Sequence, residues 1–507
     1  MKLLYAKTSI LYILIIMLTA IDSRGQSVIQ TLNSYLNQAA QDHEFNGNIL
    51  LAQDGKALCK KSYGYRDIVK QVPLDDSALF PLASISKTFT AVAVLQLMEK
   101  GKLTLDDTYS TYFREFPYPA ITIRQLLSHT SGLPDADVLF DSLVARNPDK
   151  IYTNADVLPV LQYYSKTRSL LFTPGERWSY CSVGYQLLAD LVEKLSHEPF
   201  AAYLKRHVFM PAGMTSTYVQ TSLAQTKGPN RTVDYIYNNH YEMTLQQVDT
   251  LPDKKEWTYN MTGGIGPGNV VSTAEDLLHY DRALYAGILL KPSTLKEAFT
   301  PVKVNNGQVN EAASSSSYCL GWFIFRDTIN GRIVWHSGSA PGVVTLFARN
   351  ISQKQTYIIL TNVALSFHIY KDILAIINHK KIVYRHSLGF LYAQNAYQHG
   401  IDYAIARLSV LKSDTVRYIL REEDLERAAL EFSRDYWHTQ NLALETYKIM
   451  TLLYPEDPHV YTLYADLLLN GRFKDKDAAI LLYKRALQLD PVDEKLRSKL
   501  DRLGSTQ

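Results

Sequence analysis

Between Pro81 and Gly101 lies a stretch that leaves the chain little freedom in how it folds. Phe89, Ala91, Val92, Ala93, Val94, Leu95, Leu97 and Met98 follow one another with few polar interruptions. A helix that is apolar nearly all round has to be buried nearly all round, so the fold must hold it inside a large core. Pro81 fixes the backbone just ahead of it, and Gly101 stops it. Its entrance reads Ser84-Ile85-Ser86-Lys87. Ser84 and Lys87 are three positions apart and share a face, and a helix start adds a positive dipole end and free N–H groups. A lysine held there can accept a serine proton. The spacing alone does not single out this pair, because Ser293/Lys296 and Ser409/Lys412 match it too.

What separates Ser84 is the company of two further motifs in order. Phe172-Thr173-Pro174-Gly175-Glu176 is followed by Trp178-Ser179-Tyr180-Cys181-Ser182-Val183-Gly184-Tyr185, and Val334-Trp335-His336-Ser337-Gly338-Ser339-Ala340-Pro341-Gly342 lies far downstream. Supporting stretches are Ile121 to Pro134, with Ser128-His129-Thr130-Ser131-Gly132 inside it, then Pro211-Ala212-Gly213-Met214, and Gly263-Gly264 leading to Ser272-Thr273-Ala274-Glu275-Asp276. Together these resemble the serine β-lactamase-related hydrolases, the group of class C β-lactamases, D-alanyl-D-alanine carboxypeptidases and related esterases. The resemblance covers roughly residues 30 to 380.

Acyl transfer at a serine needs a base for the hydroxyl proton, a group to return it to the leaving atom, and donors for the oxyanion. Ser84 is the expected nucleophile, with Lys87 beside Tyr180. A phenol with a usual pKa of about 10 serves as base at neutral pH only if nearby cations favour the phenolate, and Lys87 and His336 are the expected cations. The resemblance also implies an oxyanion hole from the backbone N–H groups of Ser84 and Ser339. It places Ser182, Ser337, Gly338 and Ser339 against the substrate, with Gly338 letting the substrate backbone approach. Two positions depart from the family pattern. Ser182 stands where Tyr-x-Asn has asparagine, and one hydroxyl cannot offer an amide's paired donor and acceptor. His336 stands in place of lysine, and with a reference pKa of about 6.5 it is only partly charged near neutrality. Both changes occur among esterase-like and peptidase-like relatives and count against efficient β-lactam hydrolysis. His129 reads as a structural turn residue in a loop punctuated by Gly132 and Pro134.

The length of 507 residues allows two or three domains, and the composition is that of a globular protein. A net charge of +3 points neither to nucleic acid nor to a strongly acidic partner. Residues 1–25 read as an export signal, with Lys2 and Lys7 ahead of an apolar stretch from Ile10 to Ala20 and small residues at Ser23 and Gly25, so the mature chain is expected to begin near Gln26. That places the protein in the periplasm or outside the cell, with no further membrane span. Cys59, Cys181 and Cys319 form no disulfide framework, and no Cys-x-x-Cys or His-Glu-x-x-His spacing suggests a metal, so the expected chemistry needs no cofactor. Cys181 reads as a small apolar filler. The Gly263-Gly264-Ile265-Gly266-Pro267-Gly268 run misses the dinucleotide spacing. It reads as a tight turn before a helix capped by Ser272 with Glu275 three residues on.

The expected fold class is α+β, an α/β sandwich. A helix from Val28 to Asp42 leads into a hairpin, Gly47 to Gln53 and Ala57 to Tyr65, across Asp54-Gly55. A helical middle carries Ser84 and Tyr180. Strands return at Leu320 to Arg326, Arg332 to His336, Val343 to Arg349 and Thr356 to Thr361, with a closing helix from Ile369 to Ile377. These build one antiparallel sheet from both ends of a domain spanning 26–380. Residues 381–507 are continuously helical. Ala465, Leu468, Gly471, Phe473, Ala479, Tyr483, Ala486 and Pro491 resemble a tetratricopeptide repeat, with an insertion near Lys474 to Asp477. Ala443, Tyr447, Met450 and Pro455 lie 36 residues ahead of Ala479, Tyr483, Ala486 and Pro491. Such repeats stack into a groove suited to a protein partner. The sequence therefore describes an exported serine hydrolase acting on a small-molecule or peptide substrate: a D-amino-acid peptide, an ester or a β-lactam. The alternative is a catalytically weak protein of the same fold that recruits a partner through its helical tail.

Overall fold

The computed structural model describes residues 28–312, 315–327, 329, 331–364, 367–434, 439–470 and 472–504. The export signal at 1–25 and Gly471 of the repeat pattern lie outside them. The described chain divides into two compact units. One runs to Ile236 and resumes over Gln246–Ile382; the other combines Tyr237–Leu245 with the chain from Val383 onward.

The first unit is α+β. Its main sheet has seven antiparallel strands in the order Ser316–Tyr318, Phe323–Phe325, Ile333–Ala340, Val343–Asn350, Gln355–Thr361, Gly47–Gln53 and Lys56–Tyr63. Strands from the two ends of the unit meet where Gly47 pairs with Thr361 and Gln53 with Gln355. The first hairpin turns at Asp54 (φ 51°) and Gly55 (φ 71°), the left-handed pair that suits the twist of a two-residue connection. A helix over 28–41 precedes it, and Phe367–Ile377 closes the unit. The Ser316–Tyr318 strand was not expected, and the predicted 320–326 strand contracts to Phe323–Phe325.

The apolar helix runs over Ser86–Glu99 and is buried as its composition demands, with every residue from Ser86 to Leu97 inside the core. Phe89 lies against Tyr280 at 4.2 Å with the rings tilted by 32°, and meets Phe209 edge-on at 5.6 Å. The helix after the glycine-rich turn spans Ala274–Tyr285, and its cap is Thr273, whose hydroxyl accepts from the Asp276 N–H at 3.1 Å. This shifts the predicted Ser272/Glu275 cap by one residue. Ser272 ends the Val270–Ser272 strand instead, and its hydroxyl pairs with Thr217.

The second unit is all helical apart from short strand pairs. Leu388–His399 packs with Ile401–Leu411, Glu422–Arg434 with Gln440–Leu453, and Pro458–Asn470 with Lys476–Leu489, before a final helix, Glu494–Gly504. Gln440–Leu453 and Lys476–Leu489 are offset by 36 residues at both ends, and Ala443, Tyr447, Ala479, Tyr483 and Ala486 are buried. Tyr241, from the middle of the chain, is buried in this unit against Phe432 at 4.6 Å and Tyr397 at 4.8 Å. Beside it, Glu431 accepts from the His240 backbone N–H at 2.8 Å and pairs with its ring at 2.7 Å. Among the described residues, no helix is long and apolar enough to cross a membrane.

Candidate active site

Ser84 sits in a 3₁₀ turn, Ala83–Ile85, that feeds directly into the buried helix. Ala83 adopts φ 46°, a left-handed conformation unusual for a residue with a side chain, which turns the backbone sharply just before Ser84. Its neighbours Leu82, Ala83 and Ile85 are buried, whereas Ser84 is half-buried. Lys87, 1% exposed, places Nζ 3.0 Å from Ser84 Oγ and 3.1 Å from the Pro267 carbonyl oxygen. Thr90 and Ser86 hold the same 266–270 segment, donating to the Gly266 carbonyl and accepting from the Val270 N–H. Burial lowers the Lys87 pKa to about 7, opposed by the Asp135 carboxylate. Ser293 and Ser409 share the Ser84 spacing, but they and Lys296 and Lys412 are exposed on surface helices.

Tyr180 stands beside this pair, its ring centre 4.8 Å from Lys87 Nζ. Burial pushes its phenol pKa up, and interaction with the Ser84 hydroxyl only partly offsets this. The expected phenolate is therefore disfavoured. His129 (φ 58°) templates the Tyr180 loop: its carbonyl accepts from Ser179 N–H at 2.9 Å, and its Nδ1 from Cys181 N–H at 3.1 Å. Nε2 then carries the proton and has no hydrogen-bond partner among the described residues, while the ring lies 4.3 Å from that of Tyr180. The structural reading of His129 stands, with its turn placed in contact with the site. Cys181 is buried, its thiol pKa pushed up by burial, and its sulfur meets the Pro134 carbonyl.

The third motif occupies the Ile333–Ala340 strand. His336 is 1% exposed; its Nδ1 donates to the Ser337 carbonyl at 2.6 Å and its Nε2 accepts from the Tyr318 hydroxyl at 3.0 Å. Burial and the neighbouring Lys87 lower its pKa to about 3. This corrects the expectation that His336 is partly charged: its ring is neutral across the physiological range, with both nitrogens satisfied. Gly338 also has a packing role. A Cβ there would lie 2.1 Å from the Leu82 carbonyl oxygen and 3.0 Å from Ala83 Cβ, so the glycine lets the strand close onto the turn that carries Ser84. Thr345 fastens the same contact, donating to the Leu82 carbonyl at 2.9 Å. Ser337 is half-buried and Ser339 exposed on this strand.

Three further residues belong to the site. Tyr318 holds the His336 ring, and Tyr370 hydrogen-bonds the Ser337 side chain, its own pKa raised to about 12 by burial. Asp135 caps the Ala136–Arg146 helix. Its Oδ1 accepts from the N–H groups of Ala136 at 2.8 Å, Ser182 at 2.7 Å and Val183 at 3.3 Å. Its carboxylate acts electrostatically on both Lys87 and Tyr180. A helix cap after Pro134 was readable in the sequence; its reach to Ser182 was not.

A family model described as Beta-lactamase matches residues 32–377. Penicillin-binding protein 4* of Bacillus subtilis (strain 168) is 36% identical over 334 residues, 65% of this chain and 71% of that protein. The putative penicillin-binding protein PbpX of the same strain is 27% identical over 335 residues, 66% of this chain and 74% of its own. Among solved structures, the penicillin-binding protein of Bacillus halodurans superposes with a TM-score of 0.57 at 25% identity, covering 68% of this chain and 98% of that one. D-amino acid amidase of Ochrobactrum anthropi SV3 shares the fold, with a TM-score of 0.55 at 23% identity over 70% of this chain and 99% of its own. Together with Ser84, Lys87 and Tyr180 brought side by side, these likenesses show that the chain belongs to the beta-lactamase family of serine hydrolases.

Proposed function

We propose that the protein is an exported serine hydrolase that forms an acyl-enzyme on Ser84, acting on a D-amino-acid peptide, amide or ester more readily than on a β-lactam. The observation that carries this reading is the 3.0 Å approach of Lys87 Nζ to Ser84 Oγ, with a lysine pKa lowered to about 7. Near neutral pH much of Lys87 is the free amine and can take the Ser84 proton as Oγ attacks the acyl carbon. Tyr180, neutral and beside both, relays that proton to the departing nitrogen or oxygen. The backbone N–H groups of Ser84 and Ser339 hold the oxyanion, and Ser182, Ser337 and Gly338 line the substrate position. Water then releases the acyl group by the reverse proton path. The N-terminal segment supports export to the periplasm or the medium.

We extend the proposal to the tail, as tetratricopeptide-type repeats following a hydrolase domain that ends near residue 380. The 36-residue offset of two helices and their buried alanines and tyrosines support it. A protein partner for the repeats belongs to the same proposal. Intact-mass analysis with a fluorophosphonate tests the chemistry: one adduct is expected, mapping to Ser84 and absent from Ser84→Ala. Lys87→Ala and Tyr180→Phe should each slow acylation by about 10² or more. An adduct on Cys181, or full turnover by Ser84→Ala, would overturn the assignment in favour of a binding protein.

A further inference from the structure

A lysine amine takes a proton only along its lone pair, so the direction in which Lys87 faces matters as much as its charge. The Pro267 carbonyl, 3.1 Å from Nζ, takes one N–H and leaves the rest of the amine to Ser84 Oγ at 3.0 Å. Where that carbonyl stands is set from outside the three motifs. Asn154, the first residue of the helix Asn154–Ser165, accepts from the Ile265 N–H through Oδ1 at 2.9 Å, and its Nδ2 lies 3.1 Å from the Ile265 carbonyl oxygen. The same Nδ2 reaches the Gln186 carbonyl at 3.1 Å and Asp190 Oδ1 at 3.0 Å, both on the helix Val183–Ser196 that follows the second motif. Gly266 closes the contact. A Cβ there would lie 2.4 Å from the Tyr185 carbonyl oxygen and 2.9 Å from Ala189 Cβ, so the turn is seated directly on that helix.

We infer that Asn154 is a positioning residue for acylation: by holding both backbone polar groups of Ile265 against the helix Val183–Ser196, it sets the Pro267 carbonyl that orients the Lys87 amine. This rests on the acyl-enzyme reading above. Both halves of the amide are needed, an acceptor for the Ile265 N–H and donors for the carbonyls and for Asp190. A carboxylate in its place would offer no donor and would face Asp190, and a hydrocarbon would leave the Ile265 N–H without its acceptor. The residue acts on the chemistry only through Pro267 and Lys87; among the described residues it bonds neither Ser84 nor Tyr180.

The test follows fluorophosphonate labelling of Ser84 in the full chain from pH 5 to 9. Asn154→Ala should label about 10- to 100-fold more slowly, the scale of a displacement of about an ångström in a reacting group. The midpoint of its pH profile should also fall by about half a unit or more, because a carbonyl oxygen favours the ammonium and its withdrawal leaves burial to depress Lys87 further. The direction identifies the group that titrates. Asn154 holds the Asp190 carboxyl down against burial and Glu193, so its loss raises Asp190 while Lys87 falls. The other ionisable groups around Lys87 are Asp135, Cys181, His129, His336, Tyr180 and Tyr185, and both proteins share them. Leu161→Ala is the comparison: buried about two turns along the same helix, it should lower the melting temperature and leave rate and midpoint alone. Thr90→Val frees the Gly266 carbonyl from its donor at 2.7 Å and should repeat the slow labelling and the lowered midpoint, so it serves if Asn154→Ala does not fold. A midpoint unmoved or raised in these variants, or an Asn154→Ala protein that labels no more slowly than Leu161→Ala, would overturn the assignment while the acyl-enzyme reading stands. No labelling of wild-type Ser84 would remove both.

Discussion

Lys87 carries an ammonium that the core does not welcome. A lysine whose pKa falls from 10.5 to about 7 on folding binds fewer protons in the folded chain than in the unfolded one, so it lowers stability at neutral pH. A shift of that size corresponds to as much as ~5 kcal/mol at 1.36 kcal/mol per unit. Lys87→Met should therefore melt several degrees higher than wild type at pH 7 while losing acylation, at roughly 2–4 °C per kcal/mol. The sign fixes the pH window: the advantage should be largest at and below pH 7 and shrink as pH rises toward 10.5, which thermal melts across that range would reveal. Activity should follow the same group, kcat/KM rising through pH 7 as the amine is freed; a flat profile from pH 5 to 9 would remove Lys87 as base. His336 should not share in that titration. Because its ring is already neutral, His336→Gln should leave the midpoint near 7 while costing stability at the Tyr318 contact, about 1–3 kcal/mol for a buried group left unpaired. A midpoint moved by half a unit or more would restore a charge to His336.

The nucleophile's turn and the third-motif strand act as one element, joined where Gly338 lies on Leu82 and Ala83. Gly338→Ala should destabilise by about 1–3 kcal/mol, the cost of overpacking, and lose most acylation because the strand can make room only by displacing the turn. Gly101→Ala supplies the comparison: a Cβ there meets nothing within 4 Å, so only the left-handed strain at φ 68° is expected, with acylation retained. Melting temperature and labelling rate measured on both proteins separate these effects. How much of this could be read beforehand depended on how local each signal is. The Ser84 turn, the Tyr180 loop and the His336 to Ser339 strand are contiguous motifs, and the apolar run fixed the buried helix unaided. Tyr318 lies in a three-residue strand too short to show a period, and Tyr370 reaches Ser337 from the closing helix. The cap at Thr273 was missed because Ser272-x-x-Glu275 and Thr273-x-x-Asp276 fit the capping pattern equally well. Only pairing of the Val270–Ser272 strand takes Ser272 out of the running. The charge on His336 failed for a related reason: a reference pKa carries no knowledge of burial.

At the scale of the whole molecule, the tail is less separable than the change of character near residue 380 suggests. Tyr237–Leu245 packs with the helices beyond Val383, so a chain ending at Ile382 keeps Tyr241 and His240 but loses the residues that bury and bond them. The shortened chain should bind a hydrophobic dye and melt below the full protein. Replacing residues 238–244 with a two-residue Asn-Gly turn should reverse both, since the strands Tyr235–Tyr237 and Leu245–Gln247 already pair as a hairpin. No dye binding by the simple truncation would mean that Tyr241 finds cover without the helices. The same stretch sets a clock on biosynthesis. Tyr241 leaves the ribosome roughly 150 residues before Leu388 and 190 before Phe432, which at about 5–20 residues per second is a wait on the order of 10 to 40 seconds. For that interval an aromatic segment has nothing of its own to bind, and it must be covered by a chaperone or stay exposed until its tail can close.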